Sequence, residues 1–217
     1  MNDQTPLSRD GFRDLMSGVG ISVADSEMAR IETYIAALTK WQRAINLVGP
    51  KTLNDPWRRH ILDSAQLVPL LPALSEHDRI VDLGSGAGLP GVILAIMTGK
   101  QVKMIESDQR KCTFIREAAR MTDPPVLVLT GRIEEVLPQQ AAVVTARALA
   151  PLERLLPWVH RHLAVGGKSL LLKGAEADEE LTLSEKKWTI SVGRKQSLSD
   201  ASGTVLILDE LAPLTDV

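Results

Sequence analysis

The run Ile80-Val-Asp-Leu-Gly-Ser-Gly-Ala-Gly-Leu-Pro-Gly91 sets a short apolar strand, a glycine-dense turn and a helix start within twelve residues. Gly84, Gly86 and Gly88, at alternate positions, clear the turn of side chains, so backbone N–H groups can approach a ligand and positive φ angles carry little penalty. Gly91 lets the following helix pack close to the sheet. A plain strand-to-helix turn needs one or two glycines; four in eight residues point to a ligand cradle. From Gly86 the run also satisfies the dinucleotide fingerprint, with Glu106 twenty residues on as the ribose-binding acid.

Asp82 separates two readings of the cradle. A dinucleotide site holds a pyrophosphate at the helix N-terminus, and a carboxylate two residues before the first glycine would then sit in an anion site. The segment resembles more closely the class I S-adenosylmethionine methyltransferase signature of strand, acid, apolar residue and Gly-x-Gly-x-Gly. The methionine ammonium and sulfonium are cations, which an acid attracts. Asp82, Gly84, Ser85, Gly86, Gly88, Leu89 and Glu106 form the candidate cofactor set, with Glu106 expected to accept the ribose hydroxyls.

With 217 residues the chain can bury one full core, and the reading is one α/β domain over 78–217 preceded by a helical cap over 1–77. Hydrophobic residues at 44% and charged residues at 24% give a globular balance that excludes extensive disorder and collagen-like repeats. The lone cysteine, Cys112, allows neither an internal disulfide nor a cysteine zinc site and suits a reducing cytosol; no metal is expected. Asp3, Arg9, Asp10, Arg13 and Asp14 interrupt any secretory apolar run. The longest apolar stretch, around Leu89 to Thr98, is far below the roughly 20 residues of a membrane span. A net charge of −2 means that a nucleic-acid partner would be held by a local patch. The expected protein is a cytoplasmic monomer with no membrane or DNA partner.

Residues 8–20 and 25–46 read as amphipathic helices, the second with Asp25 or Ser26 as N-cap and a stripe of Met28, Ile31, Ile35, Leu38, Trp41 and Ile45. A third helix is expected to open at Asn54-Asp55-Pro56 and run to Leu71. Strands at 80–83, 102–105, 126–129, 143–145 and 169–172 alternate with helical stretches at 89–98, 109–121, 132–138 and 150–164, a doubly wound parallel pattern. After Lys173-Gly174 an acidic helical segment leads to strands at 188–194 and 203–209, read as an antiparallel pair at a sheet edge. That ending matches the class I methyltransferase plan and departs from six parallel dinucleotide-binding strands.

Between Lys40 and His60 the basic residues Lys40, Arg43, Lys51, Arg58 and Arg59 face one acid, Asp55, with Trp41 and Trp57 interleaved. Such a set suits RNA phosphates and bases, and it equally suits a solvated helix face with core tryptophans. Thr145-Ala-Arg147-Ala148 follows the fourth strand, where an arginine needs a role or a partner: substrate, the methionine carboxylate, or an ion pair with Glu153 or Asp82. The chain lacks Asn-Pro-Pro-Tyr or Asp-Pro-Pro-Tyr after that strand and has no cysteine nucleophile there. A target that needs neither is favoured, and guanine N7 is one.

Trp41-Gln-Arg-Ala-Ile-Asn-Leu47, Arg59-His-Ile-Leu-Asp-Ser64, the 82–91 turn, Arg132-Ile-Glu-Glu135 and Thr145-Ala-Arg-Ala148 together resemble the ribosomal RNA small subunit methyltransferase G family, also called glucose-inhibited division protein B, over nearly the whole chain. The resemblance implies methylation of a guanosine N7 in the 530 loop of 16S ribosomal RNA, free or in the 30S subunit, with S-adenosylmethionine as donor. It implies cofactor contacts at Gly84, Leu89, Ile133, Glu134 and Arg147, Arg147 also being the candidate catalytic residue. Arg59, His60 and Asp63 fall in a helix-end motif beside the catalytic face, so Arg43, Lys51, Arg58, Arg59 and His60 are the candidate RNA contacts. The chain departs from the family at Ala141-Ala142, where relatives often place an Asp, which weakens any role for an acid at the start of strand four. A dinucleotide-dependent oxidoreductase and a non-catalytic ribosome assembly factor are the competing readings.

Overall fold

The computed structural model describes residues 5–214; Asp3, one of the charges that interrupt the N-terminal apolar residues, lies outside that range. Seven strands form one sheet: β1 (Ile80–Leu83), β2 (Val102–Glu106), β3 (Val126–Thr130), β4 (Ala141–Arg147), β5 (Leu163–Lys173), β6 (Trp188–Gln196) and β7 (Thr204–Pro213). Their order is β3-β2-β1-β4-β5-β7-β6. The first five are parallel, β7 runs antiparallel between β5 and β6, and β6 is the edge. The order reverses between β1 and β4, and the crevice above such a switch point is where open α/β sheets bind ligands.

Every residue of β1 is buried, as expected of a strand covered on both faces. Alternate residues point to opposite cores. Ile80 and, on β2, Val102 and Met104 enter a core with Met28, Ile31, Tyr34, Ile93 and Phe114; Val81 and Leu83 enter one with Leu152, Leu156, Val159 and Leu181. The first core is closed by α4 (Gly91–Thr98) and α5 (Gln109–Thr122), over which lie α1 (Arg9–Gly18) and α2 (Asp25–Gln42). The second is closed by α6 (Leu152–His162) and α7 (Ala177–Ser184). Trp41 packs on Phe114, with ring centroids 5.8 Å apart, and Trp57 on Phe12 at 5.4 Å; neither tryptophan is left to stack on bases.

Several boundaries differ from the sequence expectation, for local reasons. Ala24 is the N-cap of α2, and its N–H is accepted by the Glu27 carboxylate at 2.7 Å. The helix ends at Gln42 because the Gln42 side-chain amide captures the chain that follows: its oxygen accepts the Leu47 and Val48 N–H groups and its nitrogen donates to the Val48 carbonyl. The single helix expected from Asn54 to Leu71 is broken into a 3-10 turn at Pro50–Asn54, a π turn at Trp57–Leu62 running into α3 (Asp63–Ala65), and a 3-10 turn at Val68–Leu70, where Pro69 has no N–H to continue the ladder. Residues 132–138 form a turn and loop, not a helix. β4 extends to Arg147, so that arginine is the last residue of a strand.

The helical layer and the glycine turn meet at one hydrogen bond: the buried Tyr34 hydroxyl donates to the Ala87 carbonyl at 2.7 Å. Tyr34→Phe leaves that carbonyl buried without this donor and is expected to lower the unfolding free energy by about 1–2 kcal/mol in urea denaturation.

Candidate functional site

A cleft of about 620 Å³ opens over the C-terminal ends of β1, β2 and β4, between the sheet and the segment Leu47–Asp63. Its base is the glycine turn. Gly84 and Gly86 have φ of 61° and 56°, left-handed values that glycine adopts freely. A Cβ at Gly84 would collide with the Leu149 side chain, whereas one at Gly86 would meet only the Gly84 carbonyl, at 3.8 Å, and would project into open space. Gly88 serves helix packing instead. A Cβ there would lie 2.8 Å from Val92, so this glycine permits the close approach of α4, and it does not line the cleft.

Glu106, at the end of β2, is buried and fixed from two sides. Its Oε2 accepts the Gly86 N–H and its Oε1 the Asp108 N–H, both at 2.8 Å. The carboxylate is thus held beside the turn with further lone pairs available to hydroxyl donors. Ser85, Leu89, Ile133 and Glu134 also line the cleft, as the sequence led one to expect, with Ile133 buried and Glu134 exposed.

Asp82 departs from the expectation of direct cofactor contact. It is fully buried beneath the turn and absent from the cleft wall. Its Oδ1 accepts the Thr145 hydroxyl at 2.9 Å and its Oδ2 the Gly91 N–H at 3.4 Å. Burial raises its carboxyl from 3.8 to about 6, against the lowering effect of these hydrogen bonds. The residue ties β1 to β4 and to the start of α4, and any attraction for a cation acts from below.

Arg147 reaches from the end of β4 to the N-terminal segment. Its NH1 donates to Asp63 Oδ2 at 3.2 Å and to the Arg59 carbonyl at 3.3 Å, and lies 3.4 Å from His60 Nδ1. The partner is therefore Asp63; Glu153 pairs with Lys187, and Asp82 is taken by Thr145 and Gly91. His60 is buried, and burial, reinforced by the Arg147 and Arg59 charges, lowers its pKa to about 3, so it is neutral at pH 7. A neutral ring that accepts from Arg147 at Nδ1 carries its proton on Nε2, which lies 2.8 Å from the Thr52 hydroxyl.

The other candidate RNA contacts divide. Arg43, Lys51 and Arg59 are exposed, whereas Arg58 is half-buried with its Nε 3.0 Å from Asp55 Oδ2, and His60 faces the cleft from within. Sequence reasoning missed the far side of the network. Asp63 Oδ1 accepts the Ser199 hydroxyl at 2.6 Å, and Arg59 pairs with Asp200 at 2.8 Å, both partners lying in the turn between β6 and β7. Over separations of 136 and 141 residues no local pattern signals such pairs. Among the described residues no group of three or more His, Cys, Asp or Glu could hold a metal ion, and no helix is long and apolar enough to cross a membrane.

The model of the rRNA small subunit methyltransferase G family matches residues 27–206. The chain belongs to that family. A protein named Ribosomal RNA small subunit methyltransferase G from Paramagnetospirillum magneticum is 52% identical over 202 residues, covering 93% of this chain and 97% of that one. One of the same name from Rhodospirillum rubrum is 47% identical over 191 residues, covering 88% and 94%. Among solved structures, a SAM-dependent methyltransferase from Aquifex aeolicus is similar with a TM-score of 0.58 at 19% identity, covering 74% of this chain and 96% of that one. The tRNA (m1A58) methyltransferase from the same organism gives 0.54 at 15% identity, covering 71% and 69%. These likenesses show the class I methyltransferase fold, a mostly parallel seven-stranded sheet ending in an antiparallel pair.

Gly86→Asp places a side chain in the open part of the cradle, forces a non-glycine residue to φ 56° and sets a carboxylate beside Glu106. Affinity for S-adenosylmethionine measured by calorimetry is expected to fall by roughly two orders of magnitude, the left-handed backbone alone costing about 1–2 kcal/mol. Asp82 gives a pH signature. Its folded carboxyl holds a proton more tightly than the unfolded chain does, so its contribution to stability is complete below about pH 4 and lost as the pH rises through about 6. His60, held neutral well below its usual range, works the other way over the same pH interval, so the signature is a difference: in urea denaturation from pH 4 to 7 the parent protein should lose stability relative to Asp82→Asn as the pH rises. Asp200, held at about 2 by the Ser202 N–H and by Arg59, acts in the opposite sense and below that window.

Proposed function

We propose that the protein transfers a methyl group from S-adenosylmethionine to N7 of a guanosine in the 530 loop of 16S ribosomal RNA. The state of the titratable groups where the cleft meets β4 supports this reading. His60 has one ring nitrogen facing Arg147 and the other facing Thr52, and the Asp63 carboxylate is engaged by Arg147, Gln66 and Ser199. Neither is placed to take a proton from an acceptor. Guanine N7 offers a lone pair and carries no proton, so its methylation needs positioning and no general base.

S-adenosylmethionine, when bound, supplies a methyl group activated on sulfonium sulfur. The residues that would hold the cofactor are Gly84, Ser85, Gly86 and Leu89 of the turn, Glu106 toward the ribose, and Ile133 and Glu134 beside the adenine. Arg147, fixed by Asp63, borders the position of the reacting groups. Exposed Arg43 and Lys51 are cations available to RNA phosphates, and Arg59, exposed but paired with Asp200, would join them on leaving that carboxylate. In this reading residues 1–77 form a cap that meets RNA and residues 78–217 form the cofactor domain. The protein is a cytoplasmic monomer acting on 16S ribosomal RNA, free or within the 30S subunit.

Labelled methyl transfer to small-subunit ribosomal RNA and to 30S particles from cells lacking this gene, followed by nucleoside analysis, tests the reading. A single 7-methylguanosine mapping to the 530 loop is expected. A different methylated nucleoside would overturn the N7 assignment, and cofactor binding with no transfer to either substrate would overturn the activity.

A further inference from the structure

The segment between β3 and β4 reaches the cleft with no helix of its own to hold it. Gly131, Arg132, Ile133 and Glu134 line the cleft, and within the turn the Arg132 carbonyl accepts both the Glu135 and the Val136 N–H, at 3.0 and 3.1 Å. The Ile133 carbonyl finds its donor elsewhere, in Nε2 of His162, the last residue of α6, at 2.9 Å. The neighbouring Arg161 donates to the Val136 carbonyl at 3.2 Å. Two consecutive residues of α6 thus grip the turn by its carbonyls.

His162 is fully buried, and burial lowers its pKa below the usual histidine range, so the ring is neutral at pH 7. A carbonyl can only accept, which puts the single ring proton on Nε2. Nδ1 is buried with no hydrogen-bond partner among the described residues. An apolar side chain of similar size would carry no such desolvation cost. What the imidazole supplies is therefore its one bond, to Ile133.

We propose that His162 is a positioning residue for the adenine of S-adenosylmethionine: by holding the Ile133 carbonyl toward the core, it presents the Glu134 N–H to the cleft as a donor for adenine N1. The inference rests on the reading proposed above, which sets Ile133 and Glu134 beside the adenine, and names what fixes them there. The carbonyl of Ile133 and the N–H of Glu134 belong to one peptide group. In a trans peptide the two point in opposite directions, and the only cis bond among the described residues is Leu89-Pro90. With the carbonyl turned to His162, the N–H turns away from it, and among the described residues it donates to no other group. Adenine offers an acceptor at N1. Hypoxanthine carries a proton there, which would set donor against donor and leave the Glu134 N–H unpaired.

Calorimetry with S-adenosylhomocysteine and with S-inosylhomocysteine, which differ only at that edge of the purine, reads the orientation of this peptide separately from the integrity of the fold. The parent protein is expected to prefer the adenosine compound by roughly a hundredfold. His162→Leu, which frees the peptide to turn, should cut that preference by roughly tenfold, and His162→Gln, whose amide nitrogen reaches the place of Nε2, should keep it. His162→Met, with an unbranched and adaptable side chain, is a second apolar variant in case the leucine fails to fold, and the same loss is expected of it. A merely structural role would weaken both ligands alike and leave the preference at its parent value. An unchanged preference in a folded apolar variant would overturn the inference, and so would a glutamine variant that behaves like the apolar ones. If the parent protein binds both compounds equally, the placement of Ile133 and Glu134 beside the adenine fails before any variant is compared, and the inference falls with it.

Discussion

A single buried carboxylate holds the ligand-binding end of this sheet together. Asp82 sits where β1 gives way to the glycine turn, with no access to water, and its two oxygens take one donor from β4 and one from the first residue of α4. Burying a carboxylate is expensive unless its lone pairs are satisfied, so the Thr145 hydroxyl and the Gly91 N–H are constrained in position by the same energy that raises the Asp82 pKa. The geometry of the turn follows. Gly91 has no room for a Cβ, since Met104 and Asp82 occupy the space, and the helix must start where it does for the carboxylate to be met.

Arg147 is the counterpart on the other side of the switch point. It is the last residue of β4, and through Asp63 it fastens the irregular segment between α2 and β1 to the sheet. The π turn at Trp57–Leu62 belongs to this arrangement, since it carries Arg59 and His60, and with Asp63 just beyond it all three line the cleft. One guanidinium thereby fixes this side of the cleft. The network continues outward to the turn between β6 and β7 through Ser199 and Asp200.

Local patterns make much of this legible. The apolar run ending in a glycine cluster, the alternation of strands and helices, and the antiparallel pair at the C-terminus are written in short windows, and each matches the structure. Glu106 is equally readable, because its distance from the turn is fixed by one helix and one strand. Asp82 illustrates the limit. Its residue type and position point to the site, but whether a carboxylate faces the ligand or lies beneath the turn depends on Thr145, 63 residues away. The break-up of the 54–71 helix and the pairing of Arg147 with Asp63 are likewise hidden, since both are settled by tertiary partners that overrule helical propensity. For residues 132–138 the apolar spacing suggests a helix, and seven residues are too few for spacing alone to decide.

The long reach of the Asp63 network bears on when the site comes into being. Asp63 and Arg59 leave the ribosome early, yet their partners Ser199 and Asp200 follow 136 and 141 residues later. During synthesis the cofactor turn, the π turn and Arg147 are all made while Ser199 and Asp200 are still missing. Contacts across so large a loop carry a closure entropy that local contacts do not. Until those residues emerge, a chain still in translation holds Asp63 and Arg59 without the outer partners that fix them.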